Sequence, residues 1–479
     1  MRDVPDVSDV VLPSREDPVV GSASGGLGGP AGRRIRLGWS RAIAVALITT
    51  AVVCSLGLIS KQPCRATSWN STNVYPQLCY SDVAYMYRLR GNLAEGGSPY
   101  ASSHGRQLLE YPVLSGALMY VAAKVTNAID SSANLIDRSR TFFDITALML
   151  VAFALATTWL IARTAGRRPW DAMFFALSPG LLLTAFINWD LFAVMLTAGF
   201  GLAWARRRPV LAGMLLGLAV AAKFYPVVLL GPVLLLCIRA GKMKAFTQAT
   251  LAALVTWIVV NLPVRLLWPS GWNEFYAMSR SRTEGFGSIW YALQRSGWGL
   301  PAGWLNITAS GLFGLLCIGV AVLAFKAPRR PRLWQLGFLV VAAFTMTNKV
   351  YSPQYVLWMV ALYPLARPRW RDFLIWQAAE VVYFVAVWWE LEGIVYPSQA
   401  SVPEWPHTAA TFVRLAATAW VCALIVRDVL RPEHDPIRAD GSDDPAGGVL
   451  DGTADVPRRL GWLRPIDRTT SSVEVHAPT

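Results

Sequence analysis

The fold of this chain is decided by stretches such as residues 42–60, which read AIAVALITTAVVCSLGLIS. This segment carries no charged side chain, and a helix of its length can cross the hydrocarbon core of a bilayer. Similar apolar runs of about 20 residues recur up to residue 429. They are continuously apolar rather than alternating, which excludes an outer-membrane barrel. The sequence therefore predicts an all-α, polytopic membrane helix bundle.

The composition and charge agree with a membrane protein. Of the 479 residues, 54% are hydrophobic and only 15% are charged, whereas soluble proteins carry about 25% charged residues. The net charge of +14 does not indicate nucleic-acid binding, because the basic residues cluster in short loops, a pattern typical of cytoplasmic loops. These clusters are Arg33-Arg34, Arg167-Arg168, Arg206 to Arg208, Arg239 to Lys244, Arg329 to Arg332 and Arg367 to Arg371.

Thirteen apolar segments can be counted, and their number conflicts with the positions of the basic loops. From Arg167 onward these loops are two crossings apart, but three segments separate Arg41 from Arg167. Either one early segment is re-entrant or interfacial, or the loop at Arg167 breaks the positive-inside rule. We therefore expect about 12 (11–13) transmembrane helices, with both termini in the cytoplasm. The segments are residues 42–60, 111–127, 141–163, 171–187, 189–205, 209–222, 224–238, 247–267, 306–326, 334–347, 353–366, 372–389 and 408–429.

The chain divides into a transmembrane domain and two tails. Residues 1–38 and 431–479 are rich in Pro, Gly and Asp, and we expect both to be disordered cytoplasmic tails. Residues 39–430 form the transmembrane domain. Its first extracytoplasmic loop covers residues 61–109, and its second long extracytoplasmic loop covers residues 268–304. No soluble domain and no inverted repeat of the kind found in transporters is apparent.

The first outward loop contains the best catalytic candidate, Asp82. Tyr80, Tyr85 and Tyr87 flank this carboxylate and would supply ring surface suited to a sugar. A carboxylate in such a place can act as a general base. The alternative is that Asp82 sits in the first turn of a helix and opposes the helix dipole.

Two of the six cysteines share the first outward loop. Cys64 and Cys79 would lie outside the cytoplasm, so we expect them to form a disulfide, with two free thiols as the alternative. The other four fall within apolar runs and are interpreted as small core residues. The sequence has no metal-ligand spacing, and four scattered histidines do not make a site.

Basic residues on the outward face run against the positive-inside bias, so each needs another explanation. Lys349 precedes a Ser-Pro turn at a predicted helix start, and a cation beside a helix N-terminus favours phosphate binding. Arg282 in the second long loop is a similar candidate. Lys223 lies within an apolar hairpin and should pair with an acid such as Asp190 or with a ligand phosphate.

Four further outward residues allow two interpretations each. Asn188 and Asp190 cap the next apolar segment or contact a substrate. Arg90 and its neighbour Arg88 either extend to lipid phosphates at the membrane surface or belong to a site formed by the converging charges of the outward face.

Several of these motifs together resemble integral-membrane glycosyltransferases of the GT-C fold. The resemblance covers roughly residues 40–430 and is greatest to family 87, the polyprenol-phosphate-mannose-dependent mannosyltransferases typical of actinobacteria. No single motif is specific, and the resemblance rests on their order and spacing. The motifs are Tyr80-Ser81-Asp82, Pro99-Tyr100, Glu110-Tyr111-Pro112, Leu177-Ser178-Pro179, Asn188-Trp189-Asp190, Ala222-Lys223-Phe224-Tyr225-Pro226 and Ser352-Pro353-Gln354-Tyr355.

This resemblance implies an inverting sugar transfer at the extracytoplasmic face of the plasma membrane. The resemblance implies a polyprenyl-phosphate sugar as donor, with mannose as the sugar, and a cell-envelope glycan or glycolipid as acceptor. Asp82 matches the general base, while Lys349, Arg282 and Lys223 would bind the donor phosphate. Enzymes of this fold often carry two neighbouring acids at this place, whereas Asp82 is flanked by Ser81 and Val83, so we expect no required metal.

The remaining predicted contacts are polar and aromatic side chains of the outward motifs. We expect them to bind the substrates, and Trp189 to offer a further ring for a sugar. They are Tyr85, Glu110, Tyr111, Asn188, Asp190, Tyr225, Gln354 and Tyr355.

Three alternatives remain open. The donor sugar could be arabinofuranose, and the sequence offers no feature that separates this enzyme from a mannosyltransferase. A transporter or flippase of lipid-linked sugars would need repeated halves and charges near the bilayer midplane. A non-catalytic envelope scaffold would need neither Asp82 nor Lys349.

Overall fold

A computed structural model of the protein describes residues 10, 17–25, 38–101, 107–130, 132, 134–301, 303–397, 403 and 405–456. It is 75% helical and contains no β-strand within these residues, which confirms the predicted all-α helix bundle. The α-helices are α1 (Pro18–Gly25), α2 (Trp39–Ser60), α3 (Gln62–Ala66), α4 (Asp82–Leu89), α5 (Val113–Ile129), α6 (Leu135–Thr164), α7 (Met173–Ala176), α8 (Pro179–Thr184), α9 (Asp190–Ala205), α10 (Pro209–Ala222), α11 (Leu230–Ala240), α12 (Met243–Leu267), α13 (Pro269–Ser281), α14 (Ile289–Arg295), α15 (Trp304–Lys326), α16 (Leu333–Thr347), α17 (Val356–Val360), α18 (Tyr363–Ala366), α19 (Trp370–Val395) and α20 (Trp405–Leu430).

Each predicted apolar segment contains helix, but two of the segments are broken. Residues 171–187 contain only the short helices α7 and α8, and residues 353–366 contain α17 and α18. Proline lies in the first turn of α8 and of α18, where it cannot donate the hydrogen bond that a continuous helix needs. Within the described residues, α2, α6, α12, α15 and α20 are long and apolar enough to cross a membrane.

Helices α2 and α6 run antiparallel and define two ends of the bundle. At the start of α2, the Trp39 indole N–H donates to the Gly166 carbonyl, just after α6, at 3.0 Å. Beyond the end of α2, Arg65 pairs with Asp144 near the start of α6, with 2.6 Å between Nη2 and Oδ2. We call the end with Trp39 and Gly166 the basic end, and the end with Arg65 and Asp144 the site end.

Helix α5 does not connect these two ends. The Tyr111 hydroxyl, just before α5, lies 3.5 Å from Oδ2 of Asp82, the first residue of α4. Near the other end of α5, the Tyr87 hydroxyl donates to the Asn127 side chain at 2.5 Å. Both ends of α5 therefore contact the short helix α4 in the outward loop. The predicted segment 111–127 thus lies beside α4, which agrees with the alternative that one early segment is re-entrant or interfacial, and the number of crossings stays a prediction.

Small residues allow the closest helix contact in the bundle, between α10 and α12. A Cβ on Gly213 would clash with the Ala249 carbonyl, and one on Gly217 would clash with the Ala253 carbonyl. This spacing of small residues lets two helix backbones approach closely in a lipid environment. The α9–α10–α12 layer supports the turn that carries Lys223.

Residues 431–456 cover the basic end. The Asp435 carboxylate pairs with Arg332 at 2.7 Å, and both side chains are buried. Asp455 pairs with Arg239 at 2.6 Å. These residues differ from the expected disordered tail, because their acidic side chains pair with arginines of the basic loops. The rest of that expectation, residues 457–479, lies outside the described part of the chain.

The N-terminal tail also departs from the expectation where it is described. Helix α1 follows Asp17, whose side chain accepts a hydrogen bond from the Trp370 backbone N–H at 2.6 Å. This contact attaches residues 17–25 to the start of α19. Residues 1–9, 11–16 and 26–37 lie outside the described residues.

Candidate active site

A cavity of about 590 Å³ opens at the site end of the bundle. Its walls come from the predicted first outward loop with the residues that follow it, the turns after α8 and α10, helix α13, the loop after α16 and the C-terminal half of α19. The fold thus brings distant segments to one cavity. Ten residues predicted from the sequence line it: Asp82, Glu110, Tyr111, Asn188, Lys223, Tyr225, Arg282, Lys349, Gln354 and Tyr355.

Two other predicted residues stand behind the cavity wall. The Tyr85 ring stacks on Tyr80, which lines the cavity, with 5.7 Å between ring centroids. The buried Asp190 carboxylate lies 2.9 Å from the Lys223 ammonium. Tyr85 and Asp190 can therefore influence the cavity through a neighbour.

The backbone around Asp82 is tied to the turn before α9. Ser81 caps α4, and its side chain accepts from the Val83 N–H at 3.3 Å. The Ser81 hydroxyl also donates to the Phe186 carbonyl at 2.7 Å, and the Asp82 N–H donates to the Ile187 carbonyl at 2.8 Å. Asp82 is therefore in the first turn of a helix and at the cavity wall at once, so the dipole interpretation and a chemical role are compatible.

The Asp82 carboxylate lies between two tyrosine hydroxyls. Tyr80 donates to Oδ1 at 2.7 Å, and the Tyr111 hydroxyl lies 3.5 Å from Oδ2. Burial raises the pKa of Asp82 above its ordinary value, although the Tyr80 hydrogen bond and the charge of Lys223 act in the opposite direction. A carboxylate with a raised pKa is a stronger base than a solvated one, which suits proton abstraction from a hydroxyl.

Lys223, which lines the cavity, forms an ion pair with Asp190 behind the cavity wall. Their contact of 2.9 Å joins the end of α10 to the start of α9. The Lys223 ammonium also lies over the rings of Tyr111 and Tyr355, at 5.2 and 5.7 Å from their centroids. The structure thus contains the predicted pair of this lysine with an acid. The ammonium still lines the cavity on the side of the two tyrosine rings.

Asn188 has both of its predicted features. Its side-chain oxygen accepts a hydrogen bond from the Asp190 N–H at 3.0 Å, at the start of α9. The residue also lines the cavity. Capping and contact with a bound molecule are therefore not exclusive at this position.

Arg282 and Lys349 form the cationic part of the cavity. The Lys349 ammonium donates to the Arg280 carbonyl at 3.0 Å and to the Asn306 side chain at 2.6 Å, which leaves one of its three N–H groups. Burial and the nearby charge of Arg282 lower the pKa of Lys349. Among the described residues, no carboxylate pairs with either cation. Two adjacent cations without an acid suit an anion such as phosphate.

The segment after Lys349 does not begin with the long regular helix that the sequence predicted. Residues Pro353–Tyr355 form a single 3-10 turn, followed by the five-residue helix α17. Such short elements have little dipole, so the two side-chain charges, rather than a helix N-terminus, supply the positive potential here.

Aromatic stacking holds the wall beside Lys223. Tyr225 stacks on Trp358 with 4.2 Å between ring centroids, and Tyr355 stacks on the same ring at 3.9 Å. The Tyr225 hydroxyl lies 3.2 Å from that of Thr197. Gln354 is buried beside them and lines the cavity.

Glu110 is paired with Arg90, and both residues line the cavity. The distance between Arg90 Nη2 and Glu110 Oε2 is 3.1 Å. The interpretation of Arg90 as a lipid-facing arginine is therefore wrong, because its guanidinium points to a carboxylate in the cavity wall. The Glu-Tyr-Pro motif identified Glu110 as a candidate site residue. Its partner Arg90 lies 20 positions earlier, and the sequence alone could not identify this pairing.

The acidic residues around Asp82 do not form a metal site. The nearest candidates for a second ligand, Asp190 and Glu110, are each engaged by a cation. No group of three His, Cys, Asp or Glu residues suited to a metal ion occurs in the described part of the chain. A divalent cation held by an acidic pair, as some enzymes of the resembled fold carry, does not fit these residues.

A disulfide joins Cys64 to Cys79 next to this site. The Trp69 indole N–H donates to the Cys79 carbonyl at 3.1 Å, and the buried Lys61 ammonium donates to the Tyr80 carbonyl at 3.0 Å. These contacts fix the backbone on the N-terminal side of Asp82.

Several cavity residues carry no sequence signal of their own. Trp388 of α19 lines the cavity beside Tyr75 and Tyr80. It was one of 21 tryptophans, and its neighbour Trp389 is 47% exposed on the same helix. Only the packing of α19 against the first outward loop distinguishes the two. Trp189, by contrast, is buried and does not line the cavity.

One comparison with known proteins is informative. A family model described as glycosyltransferase family 87 matches residues 109–353, just over half of the chain. The matched region includes Lys223, Arg282 and Lys349, whereas Asp82 precedes it. No curated protein matches the chain.

Proposed function

The chain belongs to glycosyltransferase family 87, and on this basis we propose that it transfers mannose from a polyprenyl phosphate to a cell-envelope glycan or glycolipid. The observation that carries the proposal is one cavity that contains both a carboxylate, Asp82, and two cations without a carboxylate partner, Arg282 and Lys349. Sugar transfer from a phosphate needs these two chemistries together, a base for the acceptor and positive charge for the leaving group.

The proposed reaction is a single displacement with inversion at the anomeric carbon. The acceptor hydroxyl gives its proton to the Asp82 carboxylate while its oxygen attacks the anomeric carbon. The bond from that carbon to the phosphate oxygen breaks, and the polyprenyl phosphate leaves with the electron pair. A positioned base of this kind contributes roughly 10²–10⁴-fold to the rate.

The cations are proposed to act on the leaving phosphate. Arg282 and Lys349 would accept the charge that develops as the glycosidic bond breaks. Lys223 is engaged by Asp190, so we assign it a second role besides donor binding. Its charge favours ionised Asp82, which keeps the base in its active form.

The proposed orientation places the cavity outside the cytoplasm of the plasma membrane. The support is the separation of charge, since the arginine loops gather at the basic end and the cavity lies at the other. Polyprenyl-phosphate sugars suit that location because they need no nucleotide.

The decisive experiment uses the full chain, purified into lipid nanodiscs. Farnesyl-phosphate-mannose is supplied with octyl α-mannoside as acceptor, and mass spectrometry measures the disaccharide and the farnesyl phosphate released. We expect both products in equal amounts. Farnesyl-phosphate-arabinofuranose and GDP-mannose serve as matched donors. Preference for the arabinose donor would identify arabinofuranose, rather than mannose, as the transferred sugar. Use of GDP-mannose, or release of neither product, would contradict the proposal.

A further inference from the structure

A cluster of three aromatic rings, Tyr75, Tyr80 and Trp388, lines one side of the cavity, and we call it the aromatic wall. Tyr75 and Tyr80 stack with 5.6 Å between centroids and 15° between planes. Trp388 lies 6.1 Å from Tyr75 and 4.9 Å from Tyr80. The tyrosines are half-buried, and Trp388 is buried. No residue of the wall except Tyr80 was singled out by the sequence.

We propose that the aromatic wall binds a pyranose ring of the acceptor, so that the acceptor glycan is held there before transfer. This assignment rests on the proposed function. The proposed reaction gives roles to the general base and to the cations but none to the aromatic wall. The ligand class assigned to the wall is a neutral sugar.

The wall adjoins the proposed base. The Tyr80 hydroxyl donates to Asp82 Oδ1 at 2.7 Å, so the last ring of the wall touches the carboxylate. A sugar that lies with its C–H face on the rings directs its hydroxyls outward along its rim. One of these hydroxyls then reaches the carboxylate that would take its proton, which is the geometry that an acceptor needs.

The charge distribution separates the wall from the donor region. Its three side chains are neutral, whereas the unpaired cations Arg282 and Lys349 come from the end of α13 and from the loop after α16. Phosphate favours the cations. Rings without charge favour the C–H face of a neutral sugar, because aromatic surface is apolar. The two substrates would therefore occupy parts of the cavity with different chemistry.

The wall is held in place before any ligand binds. Tyr75 and Tyr80 flank a tight turn in which the Cys79 N–H donates to the Val74 carbonyl at 3.3 Å. The disulfide from Cys79 to Cys64 attaches the end of this turn to helix α3. Because the rings are already packed together, little side-chain entropy remains to be lost when a sugar binds. The disulfide thus supports the acceptor site and not only the loop.

Binding can be measured without turnover. Saturation-transfer NMR on the full chain in nanodiscs would use methyl α-mannoside, methyl β-galactoside and trehalose as probes. We expect at least one probe to bind, with saturation greatest at ring C–H protons. Tyr75→Leu should weaken its Kd roughly tenfold, which corresponds to about 1.4 kcal/mol. Tyr75→Phe keeps the ring and should bind within about twofold of the wild type.

The matched control is Tyr120→Leu, which removes a half-buried tyrosine of α5 outside the cavity. It should leave the Kd unchanged. Farnesyl phosphate should not displace the probe, because its phosphate would bind the cations and not the aromatic wall. The proposal is overturned if no probe binds, if Tyr75→Leu behaves as Tyr120→Leu does, or if farnesyl phosphate displaces the sugar.

The two proposals can fail separately. If a probe binds through Tyr75 but no product forms with any donor, the transfer reaction is wrong and the sugar site stands. If transfer occurs and Tyr75→Leu leaves the KM for octyl α-mannoside unchanged, the transfer reaction stands and the aromatic wall is not the acceptor site.

Discussion

The two ends of the bundle treat charge differently. At the basic end, arginines of the loops pair with carboxylates inside the chain: Arg332 with Asp435 at 2.7 Å and Arg239 with Asp455 at 2.6 Å. At the site end, Arg282 and Lys349 line a cavity with no carboxylate partner among the described residues. Both ends are rich in cations, and among the described residues those of the site end line a cavity that a ligand could enter.

This difference separates structural from functional charge. A buried pair adds little net stability, but removal of one partner leaves an uncompensated charge. A cation that has no partner in the chain costs stability unless a ligand neutralises it. The basic end is therefore expected to respond to substitution in stability, and the site end in substrate binding and rate.

The largest effect is expected from Asp82→Asn. The amide cannot accept the acceptor proton, so kcat should fall by roughly 10²–10⁴-fold, with the donor KM little changed. The measurement is disaccharide formation in nanodiscs. The variant should be as stable as the wild type, since an amide can still accept from Tyr80.

The control for that substitution is Asp144→Asn at the same end. Asp144 pairs with Arg65 in a partly exposed place, and such pairs contribute about 0–1 kcal/mol. Its transfer rate should stay within about threefold of the wild type. If Asp82→Asn also stays in that range, Asp82 is not the base.

The corresponding change at the basic end is Asp435→Asn. The buried Arg332 would lose its carboxylate, and we expect destabilisation of about 3–5 kcal/mol with the donor KM unchanged. Thermal unfolding in detergent measures it. Glu433→Gln, on the same segment but exposed, is the control and should have no effect. Unaltered stability of Asp435→Asn would remove the contrast between the two ends.

A smaller effect is expected from Arg282→Gln or Lys349→Gln. Each removes one charge from the proposed phosphate site and should raise the KM for farnesyl-phosphate-mannose about tenfold, or about 1.4 kcal/mol. Stability should not fall for Arg282→Gln, because no carboxylate partner is lost, whereas Lys349→Gln also loses the hydrogen bonds to the Arg280 carbonyl and the Asn306 side chain. Arg280→Gln, two positions earlier and not lining the cavity, is the control. Equal effects of Arg280→Gln and Arg282→Gln would exclude a specific phosphate contact.

The smallest expected effect is a shift in the pH profile. Burial raises the pKa of Asp82 above its ordinary value of 3.8, so the acidic limb of kcat/KM should lie above pH 3.8. Activity should fall as the pH drops through the raised pKa, because the base becomes protonated. Tyr80→Phe removes a hydrogen bond that favours the ionised form, so the limb should move to higher pH. Tyr85→Phe should leave it in place, and a shift of equal size there would contradict this assignment.

The sequence predicted more of the site than of its connections. Ten predicted residues line the cavity because their motifs follow apolar segments, and segment ends on one face must meet. The sequence did not predict the pair of Arg90 and Glu110 or the aromatic wall. Such contacts depend on how helices turn against one another, and a single chain without relatives gives no sign of that.

The route of the chain near Asp82 shows the same limit. Length and hydropathy alone made residues 111–127 look like a crossing segment. Contacts at both ends of α5 place it beside helix α4 instead. Hydrophobicity measures how favourably a segment leaves water. A helix at a protein–lipid surface leaves water as a transmembrane helix does, so hydropathy does not separate the two.

What the sequence determined by itself was the membrane bundle, its helical segments and the separation of basic loops from an acidic and aromatic face. These follow from local quantities, since each apolar segment must satisfy its backbone within a helix and each arginine cluster resists translocation. Only the tertiary structure decided which charges are neutralised. Arg332 and Asp435 are 103 positions apart and Lys223 and Asp190 are 33 apart. The functional meaning of a charge depends on its partner, and packing alone selects that partner.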